Sequence, residues 1–305
     1  MSSLVEQVKQ LRETTGAGMM DCKKALVETN GNFDEAIDWL RTKGLAAASK
    51  KASRVAAEGL VSMAFENNSA AIIEVNSETD FVALNEKFQQ LVEKINKIAL
   101  TVNNFEELTS AKFDDTKTVL DEVAANVAII GENINLRRME KLEVQEGVVA
   151  GYIHNAVTGN LGKIAVLVAL ESKADRLKLN EIGRKIAMHI AATRPESLDI
   201  ASLKPELIER ERNIFAEQAR ASGKPESIIE KMIDGRIRKF YEEAVLLEQI
   251  FIIDGKNKVS DFVAEAAKEC GAEIKVKAFA RFTLGEGIEQ EQKDFAAEVA
   301  AMSKH

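Results

Sequence analysis

The chain has 305 residues, 46% hydrophobic and 30% charged, with a formal net charge of −8 at pH 7. That length suits one to three domains, and the hydrophobic share is normal for a soluble globular protein. An acidic balance with interleaved signs argues against a nucleic-acid binder, which carries a basic bias, and no run of about 18 apolar residues offers a membrane span.

Met1 to Gln7 has neither a basic n-region nor an apolar h-region, so no signal peptide is expected and a cytoplasmic location is. Residues 1–50 read as a small helical module. Leu4, Val8 and Leu11 recur at helical spacing. Thr15, Gly16, Ala17 and Gly18 interrupt them. A second helix carries Met20, Lys24 and Leu26, and a third carries Phe33, Ile37, Trp39 and Leu40, with Gly44 placed to close it. Residues 46–57 are rich in Ala, Lys and Ser and read as an exposed, partly helical linker, the boundary falling at 51–57.

From Glu58 the period changes. Leu60 to Phe65 and Ala71 to Val75 read as two strands joined by a turn at Asn67, Asn68 and Ser69. A helix over 85–100 carries Phe88, Leu91, Val92, Ile95 and Ile98 on one side. Another runs from 116 to Ile130 and stops at Gly131, and residues 134–144 alternate as a strand. The order then returns. Glu58-Gly59-Leu60-Val61 is matched by Glu146-Gly147-Val148-Val149. Tyr152 to His154 and Ile164 to Ala169 form a second hairpin, followed by a helix with Ile182, Ile186, Met188 and Ile190. A helix over 259–270 stops at Gly271, and a strand covers 272–282. Two copies of a hairpin–helix–helix–strand unit are therefore expected, an α+β fold in which each sheet buries one face on its helices.

Two helices, 205–221 and 225–247, are inserted in the second copy, separated by Ser222, Gly223 and Lys224, with Pro225 opening the second. A short turn implies an antiparallel pair. Leu207, Ile214 and Ala221 recur every seventh residue and suit its seam. The last segment, 289–302, reads as an amphipathic helix with Phe295, Val299 and Met302.

No catalytic constellation stands out. His305 is terminal, His189 lies in an apolar helical run that suits a packed histidine, and His154 follows a strand, where a binding role is as plausible as a bland one. No glycine-rich phosphate loop occurs, so no nucleotide, cofactor or metal site is expected in this chain. Cys22 and Cys270 lie far apart without metal-ligand spacing and read as free thiols. Two segments are unusual. Gly16, Ala17, Gly18, Met19 and Met20 either turn two helices sharply or form a docking face with adaptable methionines. Asn76 to Leu84 either caps a helix, with Thr79 or Asp80 as the cap and Phe81 as a core staple, or presents an exposed aromatic wedge beside a carboxylate. Residue chemistry alone leaves both open.

These two segments carry a family resemblance. Leu11-Arg12, Thr15-Gly16, Gly18 and Asp21-Cys22-Lys23, followed by Ala25-Leu26, form one motif, and Glu74, Asn76 and Glu78-Thr79-Asp80-Phe81-Val82 form another. In order and separation they are similar to the elongation factor Ts family, and the resemblance extends over the chain to Met188-His189-Ile190 and Gly285-Glu286-Gly287. Leu84 departs from the basic or polar residue usual there.

The resemblance implies a guanine-nucleotide exchange factor, not an enzyme, whose partner is elongation factor Tu. It implies a ubiquitin-associated-like module at 1–50, core subdomains at 58–145 and 146–286, a coiled-coil hairpin at about 204–250, and a C-terminal helical module at 287–305. Thr79, Asp80, Phe81 and Val82 would disturb the partner's Mg²⁺ site. Gly16, Ala17, Gly18, Met19, Met20 and His154 would make further contacts. Dimerisation through the hairpin is left open. The rival from another class is a ubiquitin-like adaptor or scaffold, which would capture several partners.

Overall fold

The computed structural model describes residues 3–221 and 226–289. The expected C-terminal helix beyond 289, His305, the expected turn at 222–224 and Pro225 lie outside the described residues.

Three helices open the chain: α1 (Leu4–Thr15), α2 (Met19–Glu28) and α3 (Phe33–Lys51). Ser3 and Glu6 form a reciprocal capping box on α1, and Asn32 caps α3. Val8, Leu11, Cys22, Ala25, Leu26 and Ala36 fill the space between them. Contrary to expectation, α3 does not end at Gly44. The helix continues to Lys51, so the start of the supposed linker is helical. Gly44 is buried where α3 crosses a later helix, α6 (Val119–Ile130). A Cβ at Gly44 would stand 3.7 Å from the Ala125 Cα, so the glycine serves a close helix–helix approach, and Arg41 pairs with Asp121 across the same junction (2.6 Å).

The first repeat follows as β1 (Glu58–Glu66), β2 (Ser69–Ser77), α4 (Glu86–Ala99), α5 (Phe105–Ser110), α6 and β3 (Asn135–Glu143). The short α5 was not anticipated. It is capped by Asn104 and buries Leu108. The second repeat comprises β4 (Gly147–His154), β5 (Leu161–Gly162), β6 (Ile164–Glu171), α7 (Arg176–Thr193), α8 (Pro205–Ala221), α9 (Glu226–Ala244), α10 (Val259–Cys270) and β7 (Lys275–Thr283). The architecture is mixed helix and antiparallel sheet. Its sheets are ordered β3-β2-β1-β5 and β4-β6-β7. In both repeats the central strand is the second of its hairpin, flanked by the first strand and the last.

Each sheet buries both faces, not one. On β2, Ala71, Ile73 and Val75 face α4 and α6, whereas Ala70 and Ile72 pack on the other sheet. On β6, Val166, Val168 and Leu170 face α7 and α10, whereas Ala165, Leu167 and Ala169 join the intersheet core. The layers therefore run helices, sheet, sheet, helices. Near-continuous apolar strands are what two buried faces require. The β4–β6 connection also crosses between repeats: Gly162 and Leu161 pair with Val61 and Ser62 on the edge of β1.

The inserted helices α8 and α9 pack side by side, and so short a connection makes them antiparallel. Their seam differs from the expected one. Ala216 and Ala219 of α8 are buried against Ile229, Ile233 and Ile237 of α9, while Ile214 and Ala221 are exposed. Small residues on one helix admit the isoleucines of the other. Helix α9 also stops earlier than expected. Past Ala244 the chain turns back, and the Leu246 N–H donates to the Ser197 carbonyl (2.9 Å).

Gly59 and Gly147 occupy matching places in the two hairpins, at φ 118° and 136°. A Cβ would meet the Val75 carbonyl oxygen at 2.2 Å in the first and the Leu170 carbonyl oxygen at 2.0 Å in the second. Both alanine substitutions are therefore expected to destabilise, each by at least roughly 2–3 kcal/mol, because strain and backbone overlap act together. Chemical denaturation of Gly59→Ala and Gly147→Ala measures this, and a neutral result in either would break the equivalence of the two hairpins.

Candidate functional site

The segment after β2 is built from its ends inward. At its near end, the Thr79 N–H donates to Glu132 Oε2 (2.9 Å) and the Thr79 hydroxyl to Glu132 Oε1 (2.6 Å). Glu78 Oε1 accepts from the Asn133 N–H (2.6 Å) and pairs with Arg54 (3.4 Å). At its far end, Val82 and Ala83 are buried in the first repeat's core beside Phe88. The bond from the Ala83 N–H to the Asp80 carbonyl (3.1 Å) opens a single 3-10 turn over Val82–Leu84. Between these fixed points Asp80 is exposed and Phe81 is 77% exposed.

This geometry separates the two readings that the residues left open. Neither Thr79 nor Asp80 caps α4. That role belongs to Asn85, whose side chain accepts from the Lys87 and Phe88 N–H groups (2.9 and 3.3 Å). Nor is Phe81 a core staple. The four expected site residues divide: Thr79 and Val82 anchor the segment, while Asp80 and Phe81 project from it. Leu84, the departure from the family pattern, is also exposed.

On β2, the strand that leads to the tip, Glu74 has no solvent exposure. Burial alone would raise its pKa. Hydrogen bonds from the Gly285 N–H (2.8 Å), Asn76 (3.0 Å) and Arg138 (2.6 Å) outweigh burial and hold the carboxyl below its ordinary value. Arg137 adds a further contact at 3.0 Å.

The N-terminal candidates also divide. Met19 and Met20 are 55% and 74% exposed. Gly16 and Ala17 instead turn toward the core: a Cβ at Gly16 would lie 3.4 Å from Ile129 of α6. A cavity of about 420 Å³ separates this turn from α6, lined by Ala17 and Gly18 on one side and Ala125, Ala128 and Ile129 on the other. Cys22 is buried under the turn, which raises its thiol pKa. Neither cysteine is in a disulfide.

His154 is exposed at the end of β4, where Tyr152 Oη lies 3.0 Å from its Nδ1. The loop that follows packs Val157 and Leu161 on the same core as Val82 and Ala83. His189 is wholly buried, as a packed histidine should be. Its Nε2 lies 2.8 Å from Gln249 Oε1, and its Nδ1 accepts from the Ile252 N–H (3.3 Å), which makes Nε2 the protonated nitrogen. It thus fastens α7 to the chain returning from the inserted hairpin. Among the described residues, no group of three His, Cys, Asp or Glu side chains is placed to hold a metal ion, and no helix is long and apolar enough to cross a membrane.

Periodicity and motif did not find Glu132. Its signal was local and slight, an acidic residue directly after the glycine that ends α6, and its partner lies far away in sequence.

Comparison with known proteins gives first the class, a translation elongation factor. A family model described as Elongation factor TS matches residues 78–286, from the tip to the turn after β7. The elongation factor Ts of Rhodospirillum centenum is 57% identical over 298 residues, 97% of each chain. That of Rickettsia bellii is 55% identical over 298 residues, 97% of this chain and 96% of its own. That of Rhodospirillum rubrum is 56% identical over 300 residues, 97% of each chain. The chain belongs to the elongation factor Ts family.

Burial lowers the His189 pKa below its ordinary value of 6.5, and the hydrogen bond that its Nε2–H donates to Gln249 Oε1 only partly opposes this. The unfolded chain then binds a proton near pH 6.5 that the folded chain does not. Stability should therefore fall as pH drops below about 6.5, by up to roughly 1.4 kcal/mol per pH unit until the folded-state pKa is reached. Urea unfolding between pH 5 and pH 7 should show this slope, and His189→Gln should flatten it.

Proposed function

We propose that this chain is the guanine-nucleotide exchange factor for elongation factor Tu. It binds the GDP-bound GTPase, disturbs its Mg²⁺ and phosphate site with Asp80 and Phe81, and so promotes GDP release and GTP binding. Family membership supports the partner and the reaction. The observation that carries the site is a phenylalanine 77% exposed between two anchored residues.

Fully burying a phenylalanine is worth roughly 1.5–3 kcal/mol. That energy is unused in the free chain and is available to a partner's interior. Asp80, beside it, brings a negative charge. In a GTPase the bound Mg²⁺ is often the largest local charge, and it offsets that of the phosphates. Displacing the groups around it weakens GDP. The factor must bind the nucleotide-free partner more tightly than the GDP-bound one, because equal affinity for both shifts nothing. Linkage then requires GDP to weaken the factor's own binding by the same ratio. Exchange is accelerated in both directions, and the surplus of GTP sets its direction.

The same reading makes the chain a protein-binding factor of the cytoplasm and not an enzyme. The helical module 1–50 docks on the GTPase through Met19 and Met20, with Gly16, Ala17 and Gly18 shaping the turn that presents them. His154 makes a supporting contact. We divide the rest at 51–57 (linker), 58–145 and 146–286 (core subdomains), with the coiled-coil insertion at about 204–250 and a terminal module at 287–305.

Phe81→Ala and Asp80→Ala should slow GDP release from elongation factor Tu, the former by roughly tenfold to a hundredfold. Neither should change stability by more than about 0.5 kcal/mol, because both side chains are exposed. Stopped-flow release of a fluorescent GDP measures the first effect and thermal unfolding the second. Wild-type release in the double variant would remove the tip from the mechanism.

A further inference from the structure

We propose that Glu132 is a positioning residue for exchange, which holds Thr79 so that Asp80 and Phe81 meet the partner already aimed. This inference rests on the tip reading above and assigns the aim of the tip to a residue outside it.

Three chain segments converge on the near end of the tip. Helix α6 ends at Gly131, whose φ of 90° turns the chain sharply and sends Glu132 toward Thr79. Both Glu132 oxygens are then occupied, one by the Thr79 N–H and one by its hydroxyl. The remaining polar atom of Thr79, its carbonyl, accepts from the Ser77 hydroxyl (2.9 Å). Every hydrogen-bonding group of Thr79 is thus engaged. Asn133 secures the neighbouring Glu78 through its N–H and the Arg54 carbonyl through its side chain (2.8 Å). Lys51, the last residue of α3, donates to the Gly131 carbonyl.

The far end of the tip is held by burial of Val82 and Ala83. Asp80 and Phe81 are therefore a two-residue span with both ends fixed. The anchored backbone fixes the Cα–Cβ directions of both residues, and their side chains sample only the rotamers open to that backbone. A carboxylate that accepts two hydrogen bonds from one residue restricts rotation as well as distance. Loosening one end leaves the composition of the tip unchanged and enlarges its range of directions. The loss should then fall on the step that requires alignment, and much less on the initial encounter.

The test uses the full chain in steady-state exchange on elongation factor Tu with bound GDP. Glu132→Ala should lower kcat by about tenfold with KM changed by less than about threefold. Thr79→Val, which removes the hydroxyl bond and keeps the N–H bond, should show a smaller loss of the same kind, and Thr79→Ser, which keeps the hydroxyl, should retain most of the rate. In the double variant Glu132→Ala with Thr79→Val the loss should not exceed that of Glu132→Ala alone, since the hydroxyl bond has already gone with its acceptor. If Glu132→Ala does not fold, the Thr79→Val and Thr79→Ser pair decides. Wild-type kcat in Glu132→Ala or Thr79→Val, with Phe81→Ala slow, overturns the positioning role and leaves the tip standing. Equal damage by Thr79→Ser and Thr79→Val, or a rise in KM without loss of kcat, also overturns it. A wild-type rate in Phe81→Ala defeats the tip reading itself and is distinguishable for that reason.

Discussion

Glu74 is charged and has no contact with water, a combination that constrains everything around it. Removing a carboxylate from water costs several kcal/mol unless paired charges and hydrogen bonds offset it. Here the partners are Arg137 and Arg138 from β3, Asn76 from β2 and the Gly285 N–H from the turn after β7. Successive residues on a regular strand point to opposite faces, so adjacent arginines would not normally reach one carboxylate. The β2–β3 pairing supplies the exception. Glu74 lies opposite Arg138 and Val75 opposite Leu136, which leaves Arg137 as the extra residue of a bulge. The arginines then continue outward, Arg138 to the Thr283 carbonyl (2.9 Å) and Arg137 to the Glu286 carbonyl (2.6 Å). One buried charge thereby joins the strand that leads to the tip with the last strand of the other repeat.

The second repeat has the same bulge without the same use. Ala169 lies opposite Ala278 and Leu170 opposite Val276, so Lys277 is its extra residue, and it pairs with Glu171 near the surface (3.2 Å). The repeats diverge again beyond the central strand. After β6 the chain enters α7 almost at once, capped by Asp175. After β2 it first makes the tip, and only then reaches Asn85 and α4. The duplicated fold is a scaffold, and the candidate site is an elaboration of one copy, as function is commonly added to a fold.

Much of this scaffold was legible in the sequence because strands and helices report their own period. The hairpins, the stop of α6 at Gly131 and the stop of α10 at Gly271 needed only local information. The misreadings share another cause. Gly44 suits both a helix end and a close helix crossing, and only the position of α6 separates them. The second buried face of each sheet, the pairing of β5 with β1 and the Ala–Ile seam of the hairpin all depend on contacts between distant segments. The tip shows the same limit. Thr79 and Asp80 are good caps and Phe81 is a good staple, yet Asn85 takes the cap and Phe81 is left in solvent. The burial of Glu74 was equally hidden, since a lone glutamate in a strand normally faces water.

Rigidity of the tip matters because of what an exchange factor must avoid. Tight binding to every state of its partner would trap the complex, so binding energy is useful only where it differs between states. In the proposed division of labour, Met19 and Met20 supply adaptable apolar contact of the kind that tolerates a partner changing shape. In the same proposal the tip supplies the opposite, two exposed residues held at both ends, which would reach their site only if the partner rearranges to admit them. Attachment through a flexible loop would let the tip avoid that rearrangement by bending away. In the proposed mechanism, the clasp at Thr79 and the burial of Val82 close off this escape, and the strain of insertion then falls on the GTPase and not on the factor.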